Sequence, residues 1–200
     1  MESAARSVVA PDEQVGELIE RLDAAARLGR IEAITERVKT DLAGMIAERS
    51  LVLPERCLKP AAERYARHLL HRSPEHGYTA VVMVWGPGQR TGLHDHSGMW
   101  CVEGVVEGEL QITRYERFED GESGGEGPYR FEECERIAAC AGSSGSLIPP
   151  HEYHVLANES TERAAITLHV YGGEMETCSV FSPLGDGTYL RGERRLSYDD

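Results

Sequence analysis

The chain has 200 residues, which is enough for one domain with a sizeable core. It contains 21 Lys and Arg against 34 Asp and Glu, and the formal charge of −13 disfavours nucleic acid and anionic membranes as partners. The sequence has no apolar run of membrane-spanning length and no secretion signal, and its five cysteines form no CxxC pair. We therefore expect a cytoplasmic protein with reduced thiols.

The first part of the chain is predicted to be helical. Apolar residues recur at helical spacing over residues 12–28 and again over residues 31–47. A third short helix is predicted from Pro60, whose fixed φ suits a first helical turn, with Tyr65, Leu69 and Leu70 along it. The helical segment is therefore expected to cover about residues 12–70.

From Tyr78 onward the pattern is typical of β-strands, with short β-branched runs that end at Gly or Pro. The Gly- and Glu-rich stretch 121–128 predicts a surface loop. These patterns predict one domain over residues 1–200, mainly β, with a small antiparallel barrel over about 78–190 and the helical segment packed against it. The predicted strands are 78–85, 100–106, 109–115, 145–148, 164–171 and 177–181.

Three histidines predict a metal site. His94 and His96 point to the same face of an extended strand, because side chains alternate along it. His154, on a later strand, supplies a third imidazole. Neutral imidazole is the commonest protein ligand for iron, nickel, copper and zinc, so the histidines predict a metal without choosing among these.

The spacing around these histidines resembles the two-part signature of the cupin barrels, which are jelly rolls. Gly88 precedes the first motif, and Pro149 and Asn158 flank His154. Where most cupins have a glutamate as fourth ligand, this chain has Cys101. That replacement resembles the cysteine dioxygenase family of thiol dioxygenases. The resemblance implies Fe(II) as the cofactor, and a small-molecule thiol and O2 as the substrates.

A second group lies on one predicted strand. Period-two alternation places Thr167, His169 and Tyr171 on one face, which predicts a hydroxyl–imidazole–phenol relay directed at the metal position. The family has serine-x-histidine-x-tyrosine here, and threonine keeps the hydroxyl. The resemblance further implies a thioether between Cys101 and the ring of Tyr171. If no thioether forms, Cys101 is simply a small buried residue.

The resemblance also assigns a substrate-binding pair. In the family, a tyrosine-x-arginine at the place of Tyr65 and Arg67 holds the substrate carboxylate through a charge-assisted pair. Gly172 and Gly173, which follow the relay tyrosine, instead resemble the 3-mercaptopropionate dioxygenase branch. That branch typically has glutamine in place of Arg67 and lacks the cysteine of the first motif. The mixed pattern leaves the thiol open.

Three functions follow from these residues. The first is an Fe(II)-dependent dioxygenase that converts L-cysteine to cysteine sulfinate, and the second is the same chemistry on 3-mercaptopropionate or a related thiol carboxylate. The third is a non-catalytic metal-binding cupin that senses a small ligand, although such a sensor has no need of a phenol aimed at the metal. We expect a monomer or weak homo-oligomer. His151 is expected at the rim of the site, and His68, His71 and His76 at the surface or behind the ligands.

Overall fold

The computed structural model of the chain describes residues 15–118 and 128–199. Within these ranges the chain has two α-helices, one 3₁₀ helix and eleven β-strands, so it is mainly β. The helices are α1 (Gly16–Ala26), α2 (Ile31–Ala47) and the 3₁₀ helix Glu55–Leu58. The strands are β1 (Ala66–Ser73), β2 (Tyr78–Trp85), β3 (Leu93–His94), β4 (Cys101–Glu107), β5 (Glu109–Phe118), β6 (Tyr129–Cys140), β7 (Ser144–Leu147), β8 (His154–Ala157), β9 (Ala165–Tyr171), β10 (Thr177–Pro183) and β11 (Thr188–Arg195).

The strands form two layers in which every pairing is antiparallel. Five strands make an open sheet in the order β1-β2-β9-β4-β7, and the other six close into a ring in the order β10-β11-β6-β5-β8-β3. The predicted fold class, an antiparallel jelly-roll barrel with amino-terminal helices against it, is therefore confirmed. The six predicted strands are all present, with ends shifted by no more than three residues.

The open sheet is buried on both faces. On its outer face Val82, Val102 and Val170 pack in one cluster with Leu22 and Leu42 of the two helices. On its inner face a second cluster joins alternate residues of β2 to residues of the ring. This explains why every residue of β2 is buried and why the strand is apolar without alternation. The members of the inner cluster include Val81, Met83, Trp85, Leu110 and Leu156.

The predicted third helix is wrong. Residues Ala66–Ser73 form β1, which pairs antiparallel with β2, and the helical segment ends with the 3₁₀ helix at Leu58. A bulge between Leu69 and His71 shifts the register, so the apolar residues lose their period of two and imitate helical spacing. Pairing with the buried β2 overrides the local pattern.

Parts of two predicted elements lie outside the described residues. Residues 12–14 of the first predicted helix and residues 121–127 of the predicted loop lie outside the described ranges. In the part of the chain that is described, no helix has the length and apolar character needed to cross a bilayer.

Candidate metal centre and substrate cavity

The three predicted metal ligands come together inside the barrel. His94 in β3 pairs directly with His154 in β8, and His96 follows two residues after His94. The ring centroids of the three imidazoles are 4.6, 5.2 and 5.0 Å apart. One ligand nitrogen from each lies within 4.8 Å of the other two, and the side chains are buried. The group has the size and the donors of a three-histidine metal site.

Each imidazole has its Nδ1 atom beside an oxygen of the protein. Nδ1 of His94 lies 3.0 Å from the carbonyl oxygen of Gly92. Nδ1 of His96 lies 3.5 Å from Oε2 of Glu152, and Nδ1 of His154 lies 3.7 Å from Oε1 of Glu103. Histidine ligands in metalloproteins usually donate a hydrogen bond from their second ring nitrogen to a carbonyl or carboxylate. Here only the contact of His94 has hydrogen-bond length, whereas the carboxylates beside His96 and His154 are near Nδ1 without a hydrogen bond to it.

The ring nitrogens that face the middle of the histidine group are suited to bind a cation. Nε2 of His154 is fully buried and has no hydrogen-bond partner. Burial, with a smaller contribution from His96, lowers the pKa of His94 to about 3, and burial lowers the pKa of His154 well below its usual range. Both rings are therefore neutral near pH 7, the form that binds metal ions. Burial also raises the pKa of Glu103 to about 8.

The proposed relay residues lie on β9, where alternation places Thr167, His169 and Tyr171 on the interior face, all of them buried. Oγ1 of Thr167 accepts a hydrogen bond from Nε1 of Trp85 at 2.9 Å and lies 2.8 Å from Nε2 of His169. Oγ1 can donate to Nε2 of His169 or accept from it, according to the tautomer of the imidazole. Nδ1 of His169 lies 3.6 Å from Oε2 of Glu103.

The second half of the relay differs from the expectation. The rings of His169 and Tyr171 lie nearly parallel, with an interplanar angle of 15° and centroids 6.0 Å apart. Nε2 of His169 is occupied by Thr167, and Nδ1 has no hydrogen-bond partner, so the imidazole makes no hydrogen bond to Tyr171. The phenol ring instead has its centroid 6.1 Å from that of His96. The structure thus places Tyr171 beside a proposed ligand and His169 against Glu103.

Cys101 and Tyr171 are direct partners across β4 and β9. Opposed residues on one face of an antiparallel pair have Cβ atoms about 4.5–5.5 Å apart, so the thiol and the phenol ring are neighbours. Both side chains are essentially inaccessible to water. Burial, and then the carboxyl group of Glu103, raise the pKa of the Cys101 thiol well above its usual range.

Arg67 reaches the same cavity from β1. Its side chain is buried and lines the cavity together with the three histidines and Tyr171. Nη1 donates to the carbonyl oxygen of Ser197 at 3.3 Å, whereas Nε and Nη2 have no hydrogen-bond partner. Tyr65 lines the cavity beside it and stacks on Trp85, with ring centroids 4.5 Å apart. A buried guanidinium with free donors is unfavourable unless an anion joins it.

Sequence reasoning missed two acidic residues that support the histidines. Glu103 and Glu152 are buried, and Oε2 of Glu152 also accepts a hydrogen bond from the backbone N–H of His96 at 2.9 Å. A signal for Glu103 was present. It is the only charged residue within the apolar run of residues 101–106, and alternation puts it on the face of Cys101.

The other histidines lie away from the centre. His151 is exposed, as expected for a rim residue, and His71 and His76 are partly exposed. His68 is buried, with its ring nitrogens 2.6 Å from the carbonyl oxygen of Asp199 and 2.7 Å from that of Lys59. It therefore connects three parts of the chain.

Gly172 and Gly173 are required by packing. A Cβ atom on Gly172 would overlap the indole ring of Trp100, and one on Gly173 would lie 2.7 Å from Sδ of Met99. Gly173 also has a φ of 153°, a conformation that other residues rarely adopt. The glycine pair thus has a structural explanation in this chain that is independent of the substrate.

Comparison with known proteins agrees with the site. The family model described as cysteine dioxygenase type I matches residues 55–183. Cysteine dioxygenase type 1 of Rattus norvegicus and that of Homo sapiens are each 27% identical to the chain over 118 residues, 59% of this chain and 56% of theirs. The chain thus spans little more than half the length of the curated relatives it matches.

Similar solved structures include a cupin superfamily protein from Desulfitobacterium hafniense, 14% identical, with a TM-score of 0.40 over 58% of this chain and 84% of that one. They also include oxalate oxidase in complex with the substrate analogue glycolate, 15% identical, with a TM-score of 0.43 over 60% of this chain and 59% of that one. Values this low carry no information on chemistry. The family match, by contrast, covers well over half of the chain and includes every residue proposed for the site. The chain belongs to the cysteine dioxygenase type I family.

Proposed function

We propose that the protein is a non-haem iron thiol dioxygenase that oxidises L-cysteine to cysteine sulfinic acid. In this reaction the thiol sulfur is oxidised by O2, and both oxygen atoms enter the product. The observation that carries the proposal is the buried Arg67, whose free Nε and Nη2 line the same cavity as the three grouped imidazoles. A thiol carboxylate has a carboxylate that Arg67 can bind and a thiol that can bind a metal ion held by the imidazoles.

The proposed metal ligands are His94, His96 and His154, and the proposed metal is Fe(II). When bound, iron(II) supplies coordination of the thiolate and activation of O2. An imidazole binds a metal ion in its uncharged form, so a site with three histidines and no carboxylate leaves the full charge of the cation uncompensated. This favours a substrate that brings its own negative charge. The burial of the ligands and of Tyr171 keeps bulk water away from the reacting atoms.

The chain's own residues hold and orient the thiol in this proposal. Arg67 binds the carboxylate through two parallel N–H donors, which fixes orientation as well as charge. Tyr171 places its hydroxyl beside the ligand cluster as a hydrogen-bond donor. His169, held by Thr167 and facing Glu103, acts as a positioning residue behind that ring.

We also infer a thioether between Cys101 and Tyr171. Their opposition across β4 and β9 supports the bond, because no rearrangement of the strands is needed to bring them together. The bond would join Sγ of Cys101 to a ring carbon of Tyr171, and the one hydrogen lost from each, with its electron, would reduce O2 to hydrogen peroxide. It would restrain the phenol without taking part in substrate oxidation.

One observation favours 3-mercaptopropionate as the alternative substrate. Among the described residues, those that line the cavity include no carboxylate that could pair with the amine of cysteine. 3-Mercaptopropionate has the same thiol and carboxylate but no amine, and needs no such partner. The glycine pair after Tyr171 adds little to this alternative, since packing against Met99 and Trp100 explains it.

Oxygen uptake by the iron-loaded protein tests the proposal. L-cysteine, 3-mercaptopropionate and cysteamine are compared, and the product is identified as a sulfinic acid by mass spectrometry. We expect kcat/KM to be highest for L-cysteine and lowest for cysteamine, which has no carboxylate. Arg67→Gln should lower kcat/KM for L-cysteine by about 10²-fold, since one charged partner of a desolvated pair is removed.

Two outcomes contradict the proposal. A preference for 3-mercaptopropionate makes the alternative substrate correct. No uptake with any thiol, by protein with full iron content, leaves the non-catalytic sensor as the function.

A further inference from the structure

The segment Leu196–Asp199, which follows β11, lies beyond the part of the chain that the family model matches. We call it the 196–199 segment. It runs back across the start of β1, and Leu196 lines the substrate cavity. Its first hydrogen bond is from the backbone N–H of Leu196 to the carbonyl oxygen of Glu176 at 2.8 Å. It therefore bridges the edge of the cavity between the region after β9 and β1.

Asp199 fixes the segment to the start of β1. Its carboxylate accepts two hydrogen bonds from the guanidinium of Arg64, at 2.8 and 2.6 Å, and one from the backbone N–H of Arg67 at 2.9 Å. Its own backbone N–H donates to the carbonyl oxygen of Arg67 at 2.7 Å. Its carbonyl oxygen lies 2.6 Å from Nδ1 of the buried His68.

The same segment contacts the guanidinium of Arg67. The carbonyl oxygen of Ser197 accepts from Nη1 at 3.3 Å, and the ring centroid of Tyr198 lies 5.3 Å from Cζ. These contacts use one end and one face of the guanidinium. Nε and Nη2, which remain without partners, form one edge of that group and can hold both oxygens of a carboxylate.

We propose that the 196–199 segment positions Arg67 and, by doing so, determines the affinity of the site for thiols that have a carboxylate. This rests on the proposed role of Arg67 as the carboxylate ligand. A long guanidinium side chain loses rotamer freedom when it binds an anion. A ring on one face and a carbonyl on one end remove that freedom beforehand. Tyr198 is then a positioning residue, and Asp199 holds it in place.

Equilibrium binding tests this inference without turnover. L-cysteine, 3-mercaptopropionate and cysteamine are titrated anaerobically into Fe(II)-loaded protein by isothermal calorimetry. Tyr198→Leu removes the aromatic face, Tyr198→Phe keeps it, and Asp199→Ala removes the anchor. Arg195→Ala, at an exposed position at the end of β11, is the matched control. The unfolding midpoint of each variant, measured by circular dichroism, identifies any that fail to fold.

We expect Tyr198→Leu to weaken binding of the two carboxylates by about 2- to 30-fold, the range of a cation–π contact from exposed to desolvated settings. Asp199→Ala should weaken it in the same direction. Tyr198→Phe and Arg195→Ala should bind as the wild type does, and no variant should change the affinity for cysteamine. A general loss of structure would weaken all three thiols together.

Different experimental results contradict the positioning role and the proposed dioxygenase function. If Tyr198→Leu and Asp199→Ala bind the carboxylates as tightly as the wild type, the positioning role is overturned, whatever the enzyme oxidises. If the wild type binds them, the variants lose that binding, and no thiol is oxidised, the positioning role stands and the dioxygenase function falls. If the wild type binds neither carboxylate, both are overturned.

Discussion

Glu103 offers the sharpest test of how the fold supports the metal centre. Its side chain is 8% exposed, and its two carboxyl oxygens lie 3.7 Å from Nδ1 of His154 and 3.6 Å from Nδ1 of His169. We expect Glu103→Gln to weaken iron binding while leaving the fold intact. The substitution keeps the shape of the side chain and removes its ability to ionise. A bound cation would favour the ionised carboxylate, although burial alone raises the pKa of this group to about 8.

The magnitude follows from the number of ligands affected. Loss of a group that supports a ligand typically lowers metal affinity by about 10–100-fold. Glu103 contacts only one proposed ligand, and the contacts of His94 with Gly92 and of His96 with Glu152 remain. Glutamine still offers an oxygen, so we expect the lower end, about 10-fold or ~1.4 kcal/mol. Glu103→Ala should approach the upper end.

The assay is an anaerobic competition for Fe(II) between the metal-free protein and a chromophoric chelator. Glu107→Gln, at the exposed end of the same strand, makes the same substitution away from the site and should bind iron as the wild type does. The unfolding midpoint of the metal-free Glu103→Gln protein should not fall, because burial already disfavours the charged carboxylate. Wild-type affinity in Glu103→Gln would refute the supporting role. An equal loss of Fe(II) affinity in Glu107→Gln would show that the affinity depends on the net charge of the protein and not on the position of Glu103.

Four further expectations concern the site. His154→Ala should abolish iron retention measured by metal analysis, whereas His151→Ala should leave it near normal, and the reverse would remove His154 from the ligand set. Tyr171→Phe should retain iron and lower kcat by about 10²–10³-fold in the oxygen-uptake assay, if its hydroxyl is a positioned donor. Cys101→Ser should eliminate the two-hydrogen mass loss that peptide analysis detects in oxygen- and thiol-treated wild type, and the absence of that loss after many turnovers would exclude the cross-link. Gly172→Ala should lower the free energy of unfolding by about 1–3 kcal/mol in denaturant titration, since it overpacks the indole ring beside it; an unchanged value would show that the ring moves freely.

The grouping of the residues proposed for the site was largely predictable because it depends on period-two spacing. Thr167, His169 and Tyr171 occupy alternate positions of β9, so residue spacing alone places them on one face. His96 follows two residues after His94 but lies beyond the end of β3, so the predicted strand around these histidines is shorter than expected. The lack of a hydrogen bond between His169 and Tyr171 was not predictable, because it depends on which ring nitrogen contacts Thr167.

Other features depend on partners distant in sequence. The sequence of β1 has helical spacing because a bulge disrupts the alternation of its apolar residues. Its pairing with β2 is what makes it a strand. β6 is mostly exposed and charged, so it lacks the apolar pattern of a strand and depends on β5 for its pairing. The contacts of Asp199 with Arg64 and Arg67 join residues more than 130 positions apart, which no local pattern reveals.

The site is divided between the two layers of the fold. His94 and His154 belong to strands of the closed ring, whereas Arg67, Cys101 and Tyr171 belong to strands of the open sheet. The two layers are joined here by an apolar cluster in which Leu110 and Leu156 of the ring meet Val81 and Met83 of the sheet.

Because of this division, loss of activity and loss of metal should respond differently to temperature. A small expansion between the layers moves Tyr171 and Arg67 away from the proposed metal ligands without moving the three histidines relative to one another. In the proposed enzyme, the temperature at which catalysis declines is therefore set by the packing between the layers. Expansion also removes the Glu103 contact and so weakens metal binding, but release of the metal requires the histidines themselves to separate. Warming should produce first an inactive protein that still contains the proposed iron, and only later a protein that has lost it.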